Sequence, residues 1–194
     1  MALSRSDLLS LEEYSNRRQE FKSKVIAHKR DRQVSLSPNA RLYFEDEVTV
    51  RYQIQEMLRI EKVFEAQGIQ DELDAYNPLI PDGTNWKATF MLEYDDADIR
   101  KIELGKLIGV EDQVWVQIEG FKKVYAIADE DLERSNEEKT SSVHFLRFEL
   151  DPDMIAAFKQ TQVLYAGCDH PNMRVEGIKI SSETAASLCE DLSI

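Results

Sequence analysis

A chain of 194 residues is long enough to bury one substantial core. Its 42% apolar and 31% charged residues place it among globular proteins, and no run approaches the roughly 18 apolar residues that a bilayer crossing requires. A net charge of −13 argues against nucleic-acid binding, which depends largely on neutralising phosphates with Lys and Arg. Met1-Ala2-Leu3-Ser4-Arg5 lacks the apolar core of a secretory signal, so the expected setting is the cytoplasm. The expected organisation is a single globular domain over residues 1–194. Cys168 and Cys189 have neither the number nor the spacing of a disulfide framework or a zinc ribbon, and read as reduced thiols.

Charge is unevenly spread. Residues 1–33 hold eight Lys or Arg against five Asp or Glu, whereas the rest hold 16 against 32. A basic amino-terminal helix docking on its own acidic body is the simplest consequence. That helix opens at a capping box, Ser10 to Glu13, and carries a narrow apolar stripe of Leu11, Tyr14, Phe21 and Val25 to near Arg32. Two short strands, Gln33 to Leu36 and Arg41 to Phe44, follow as a hairpin linked through Pro38-Asn39.

The next helix, Glu47 to Ala66 with Gly68 as its stop, is the most informative segment. At 100° per residue Val50, Ile54, Met57, Leu58, Ile60 and Phe64 form one arc. Gln53 and Glu61 fall inside that arc and are expected to be at least partly buried. Along its rim Arg51, Gln55 and Arg59 are spaced by four, a row of donors in an acidic protein. Buried polar groups are costly unless paired, so this helix should face an internal ion-pair network or a ligand.

A short helix, Gln70 to Tyr76, leads into the irregular loop Asn77 to Gly83. Trp86, Ala88, Phe90, Leu92 and Tyr94 alternate with polar or flexible residues, the period of a half-buried strand. A helix over Ala97 to Ile108 ends at Gly109, and Val114 to Glu119 pairs with Lys123 to Ala128 across Gly120. Val143 to Leu150 is a strand, and Asp151-Pro152 opens a helix through Lys159. Strands Val163 to Ala166 and Arg174 to Ile180 precede a final helix, Ser182 to Leu192. Successive hairpins and amino-terminal helices predict an α+β fold, with a mainly antiparallel sheet packed against long amino-terminal helices and a short carboxy-terminal helix.

The familiar catalytic signatures are missing. Seven scattered glycines assemble neither a P-loop nor a dinucleotide fingerprint, and no nucleophile elbow is present. A di-iron carboxylate site needs Glu-x-x-His, and no His follows Glu56 or Glu61 by three. His144 shares a strand face with Leu146, Phe148 and Leu150; it reads as a core histidine with a local partner, or else as a proton shuttle or metal ligand. The polar connection Asp129 to Ser142 reads as a solvated acidic link, or as a functional loop in which Arg134 and Lys139 place basic groups beside that strand.

Residues 50–61 (VRYQIQEMLRIE), 72–83 (ELDAYNPLIPDG) and 126–148 (AIADEDLERSNEEKTSSVHFLRF) resemble an uncharacterised bacterial family of about two hundred residues, a domain of unknown function. The resemblance spans nearly the whole chain and is weakest after Asp169. Such proteins tend to be encoded beside rubrerythrin and an iron–sulfur oxidoreductase of the heterodisulfide-reductase type. The resemblance therefore implies a redox or peroxide-stress setting with one of these as partner, and it brings no established active site to carry over.

Together these readings favour an accessory protein that binds a small anion or a partner subunit. The expected pocket is lined by Arg51, Gln55, Glu56 and Arg59 from the long helix and by Arg134, Lys139 and His144 from the later connection and strand. Two rivals stand beside it: an enzyme using His144 and a carboxylate in acid–base or metal-assisted chemistry, and a structural partner whose polar helix is a subunit interface.

Overall fold

The computed structural model of the protein describes residues 2–128 and 139–193. The described chain runs α1 (Leu11–Arg30), β1 (Gln33–Ser37), β2 (Ala40–Glu45), α2 (Glu47–Glu61), α3 (Ala66–Tyr76), β3 (Asn85–Leu92), α4 (Ala97–Lys106), β4 (Val114–Ile118) and β5 (Val124–Tyr125). It continues through β6 (Val143–Glu149), α5 (Pro152–Thr161), β7 (Leu164–His170), β8 (Met173–Lys179) and α6 (Ser182–Cys189). The fold is α+β, with its strands in two antiparallel four-stranded sheets, β1-β2-β3-β6 and β5-β4-β7-β8.

Alternation of side chains along each strand builds the larger core. Leu42, Phe44, Trp86, Phe90 and Phe148 project from the inner face of the first sheet onto Val114, Val116, Ile118 and Leu164 of the second. Helices α5 and α6 complete this core with Ile155, Phe158 and Leu188. Trp86 packs edge-on against Phe158, with ring centroids 5.0 Å apart, and its Nε1 donates to the Leu188 carbonyl at 2.9 Å. A bridge joins the sheets where Ile127 and Arg147 exchange backbone hydrogen bonds of 2.8 and 2.9 Å.

A second, smaller core is helical: Val50, Ile54 and Leu58 of α2 meet Leu73 of α3, Ile80 and Leu3. Burying each such side chain contributes roughly 1.5–3 kcal/mol. Helix α2 begins directly after β2 on Asp46, whose carboxylate accepts from the Thr49 N–H at 2.9 Å. It stops one turn earlier than its apolar pattern predicts. Lys62 adopts a left-handed conformation (φ 55°), and the Val63 N–H closes onto the Leu58 carbonyl at 2.9 Å. Gly68, expected as the stop, lies inside α3. A Cβ there would stand 2.6 Å from Val63 Cγ1, so its small size lets the α2–α3 turn close tightly.

Candidate functional site

The two flanks of α2 carry different chemistry. On the flank towards α1 and the amino-terminal segment, polar groups are consumed internally. Gln55, 2% exposed, clamps the main chain of Leu9: its Oε1 accepts from the Leu9 N–H at 2.7 Å and its Nε2 donates to the Leu9 carbonyl at 3.4 Å. Asn77 grips Leu3 in the same two-point manner, at 2.7 and 2.9 Å. Residues 3–9 are thereby strapped across the helical layer.

One turn along, Glu56 joins α1 to α2. Arg18 donates through Nε and Nη2 to its two oxygens, each at 2.8 Å, and the Tyr14 hydroxyl donates at 2.7 Å. Arg59 approaches at 3.5 Å. The Arg18 hydrogen bonds hold the Glu56 carboxyl down at about 2, with the Tyr14 hydrogen bond acting in the same direction. Burial, reinforced by the Glu56 hydrogen bond, pushes the Tyr14 phenol up. Arg51 pairs with Glu47 at 2.5 Å. Among the buried side-chain polar atoms of the described residues, only the Nε atoms of Arg51 and Arg59 find no acceptor on this flank, on guanidinium groups whose Nη2 is already paired.

The basic amino-terminal helix does dock on acidic partners, and its carboxy-terminal end makes a second hub. Arg32 is 2% exposed. It donates to the Phe44 and Glu45 carbonyls, each at 3.1 Å, and to Asp191 at 2.5 Å, with Asp46 at 3.4 Å. His28 Nε2 lies 2.5 Å from the same Asp46 carboxylate. Burial raises the Asp191 carboxyl to about 6 despite the adjoining guanidinium.

Two expectations about α2 need correcting. Gln53 and Glu61 are exposed; the buried amide is Gln55. Ile60 and Phe64, placed in the apolar arc by their hydrophobicity, are 60% and 74% exposed. The true buried stripe, Val50, Ile54, Gln55 and Leu58, is therefore rotated away from Gln53 and Glu61.

Among the described residues, His144 and the α2 members of the expected pocket do not come together either. On β6 the inward residues are His144, Leu146 and Phe148, whereas Val143 and Phe145 face outwards towards α2. A one-residue step reverses the face of a strand, so the sheet separates His144 from Arg51, Gln55, Glu56 and Arg59. His144 is 1% exposed, and its Nε2 lies 3.0 Å from both the Thr140 hydroxyl and the Ser141 carbonyl. Since a carbonyl only accepts, Nε2 carries the proton. Glu111 stands 3.9 Å away. Lys139 is exposed, and Arg134 lies outside the described residues. Among the described residues no three His, Cys, Asp or Glu side chains gather closely enough to hold a metal ion.

On its other flank α2 stands over the outer face of the first sheet, leaving a groove of about 340 Å³. Val50, Leu79, Met91, Val143 and Phe145 form its apolar walls. Tyr43, Thr89 and Phe145 lie side by side across β2, β3 and β6, set by the antiparallel register. Polar groups converge from separate elements: Lys29 of α1, Glu45 of β2, Thr49 and Gln53 of α2, Thr89 of β3 and Tyr76 of α3. Thr89 donates to Glu45 Oε1 at 2.7 Å and Thr49 donates to Oε2 at 2.6 Å. The Tyr43 hydroxyl donates to Glu93 at 2.8 Å, and burial raises that phenol, with the Glu93 hydrogen bond adding to the effect.

Sequence reasoning missed most of this set, since Lys29 reads as one more basic residue of α1 and Glu45 as the end of a strand. A larger groove, about 520 Å³, lies beneath residues 5–11 against Leu58, Val63, Phe64 and Ile69, but side-chain polarity there is confined to Arg5, Ser6 and Ser10. An apolar cleft with a few convergent polar groups is the better candidate for binding.

The structure thus defines an α+β protein with a helical layer over one sheet and a mixed apolar–polar groove between them. The chain belongs to the family described as "Protein of unknown function (DUF3501)", which it matches over residues 2–192. It is similar to a Burkholderia pseudomallei protein whose crystal structure is described as a novel protein of unknown function: 52% identity, 100% of both chains covered and a TM-score of 0.95. No curated protein matches the chain. No helix among the described residues is long and apolar enough to cross a membrane.

Proposed function

We propose that this protein is a small-molecule-binding component, and that its ligand occupies the groove between α2 and the outer face of the β1-β2-β3-β6 sheet. One observation carries the reading: polar side chains from five elements converge over an apolar floor in a space of about 340 Å³, the size and mixture typical of ligand clefts. In the polar row, Gln55 holds the strap, Arg59 supports Glu56 where it joins α1 to α2, and Arg51 pairs with Glu47 within α2. Buried His144 acts as a structural group between the sheets. Service to a cytoplasmic redox or peroxide-stress system, with rubrerythrin or an iron–sulfur oxidoreductase as partner, is supported by the family resemblance alone and forms a separate proposal.

The test is a ligand-observed NMR screen of small metabolites against the wild type and Val143→Trp, whose indole fills the groove from its sheet side. Compounds that bind the wild type should be lost from the filled variant. Hits that bind both proteins equally would overturn the site.

A further inference from the structure

The groove is electrically unusual in a way that specifies its occupant. Acidic residues outnumber basic ones 37 to 24 in this chain; of the other Lys and Arg residues of α1, Arg17, Arg18 and Lys24 find carboxylates, while Lys22 and Arg30 are exposed to solvent. Lys29 is half-buried at the groove, and its ammonium group has no hydrogen-bond or ion-pair partner among the described residues. Glu45, in the same groove, is not used to neutralise it. Two threonine hydroxyls hold that carboxylate instead, one on each oxygen. Such neutral donors orient a carboxylate without cancelling its charge, and each oxygen keeps a further lone pair for an incoming donor. The groove therefore presents one cation and one anion held apart, with Met91, Val143 and Phe145 as apolar surface between the polar groups.

We infer that the groove selects a zwitterion with an apolar body, of the class of a free α-amino acid bearing an aliphatic or aromatic side chain, its carboxylate on Lys29 and its ammonium on Glu45. Resting on the binding reading above, this names the ligand class for the same groove. Both contacts are charge-assisted, the stronger kind of hydrogen bond. Either half alone leaves the opposite groove charge unanswered, which is how a site rejects an analogue. The volume of about 340 Å³ accommodates a single such molecule and its first waters.

Calorimetric titration of the full chain with three matched series provides the test: leucine and phenylalanine, the deaminated acids isocaproate and hydrocinnamate, and the decarboxylated amines isopentylamine and phenethylamine. The zwitterions should bind at least about tenfold more tightly than either truncated series. Lys29→Gln should abolish their advantage over the amines, and Glu45→Gln, which retains partners for both threonines, their advantage over the acids. The wild-type series decides the question even where a variant fails to fold. Equal or tighter binding of a truncated series, or no binding of the zwitterions, would overturn the inference. A different ligand that is lost on Val143→Trp would overturn only the ligand class, whereas zwitterion binding unchanged by Val143→Trp would overturn the groove as well.

Discussion

The α1-facing flank and the sheet-facing flank of α2 both carry polar groups and put them to opposite uses. On the first, Gln55 and Glu56 spend their hydrogen-bonding capacity on Leu9, Arg18 and Tyr14. On the second, Thr49 and Thr89 orient Glu45 without neutralising it, and Lys29 and Gln53 line the same groove. Polarity on a helix is thus no mark of a binding site by itself. A closed set of partners indicates architecture, and unanswered groups over apolar surface indicate a place for something else.

The largest effects are expected at Glu56 and Gln55. Glu56→Gln leaves the Arg18 guanidinium without its carboxylate and should cost about 2 kcal/mol of stability by urea denaturation, while ligand binding in the groove stays unchanged. Gln55→Ala should cost about 2 kcal/mol by stripping the Leu9 main chain of its partner. Hydrogen exchange should quicken over residues 3–9 before it does anywhere in the sheets.

A smaller effect, on the pH dependence of unfolding, separates the two hubs. Glu56 has a folded pKa of about 2, below its ordinary 4.5. Its contribution is complete above pH 4.5 and is lost as pH falls towards 2. Asp191 runs the other way, with its pKa raised from 3.8 to about 6. Its contribution is complete below pH 3.8 and disappears as pH rises through 6. Asp191→Asn should remove the downward slope of stability between pH 4 and 6 while leaving the acid limb intact. At the small end, Lys29→Gln should shift stability by no more than about 0.5 kcal/mol yet weaken groove binding. A large loss of stability there would erase the distinction between the flanks.

Much of the fold is legible because hydrophobic period determines element type: the strand Asn85–Leu92 and the capped starts at Ser10 and Asp151 follow from local chemistry. Rotation of α2 was misread for a physical reason. Exposed Ile60 and Phe64 weigh in a periodicity count as heavily as buried Ile54 and Leu58. The inward aim of His144 was legible from alternation, but which sheet face α2 covers is decided by long-range pairing of β2, β3 and β6. No spacing in the chain encodes that choice, and so His144 was grouped with a helix on the far side of its own sheet. Glu45 and Lys29 become neighbours of one groove only after α1 folds back beside β2.

The amides of Asn77 and Gln55 read only the peptide groups of Leu3 and Leu9, so side-chain identity in the strap is enforced by packing, with Leu3 just 5% exposed. Expression strategy follows directly. A tag joined ahead of Ala2 leaves both grips intact. Deleting the first nine residues would uncover the greasy flank of the helical layer, and the shortened product should precipitate or self-associate even though its sheets can still form.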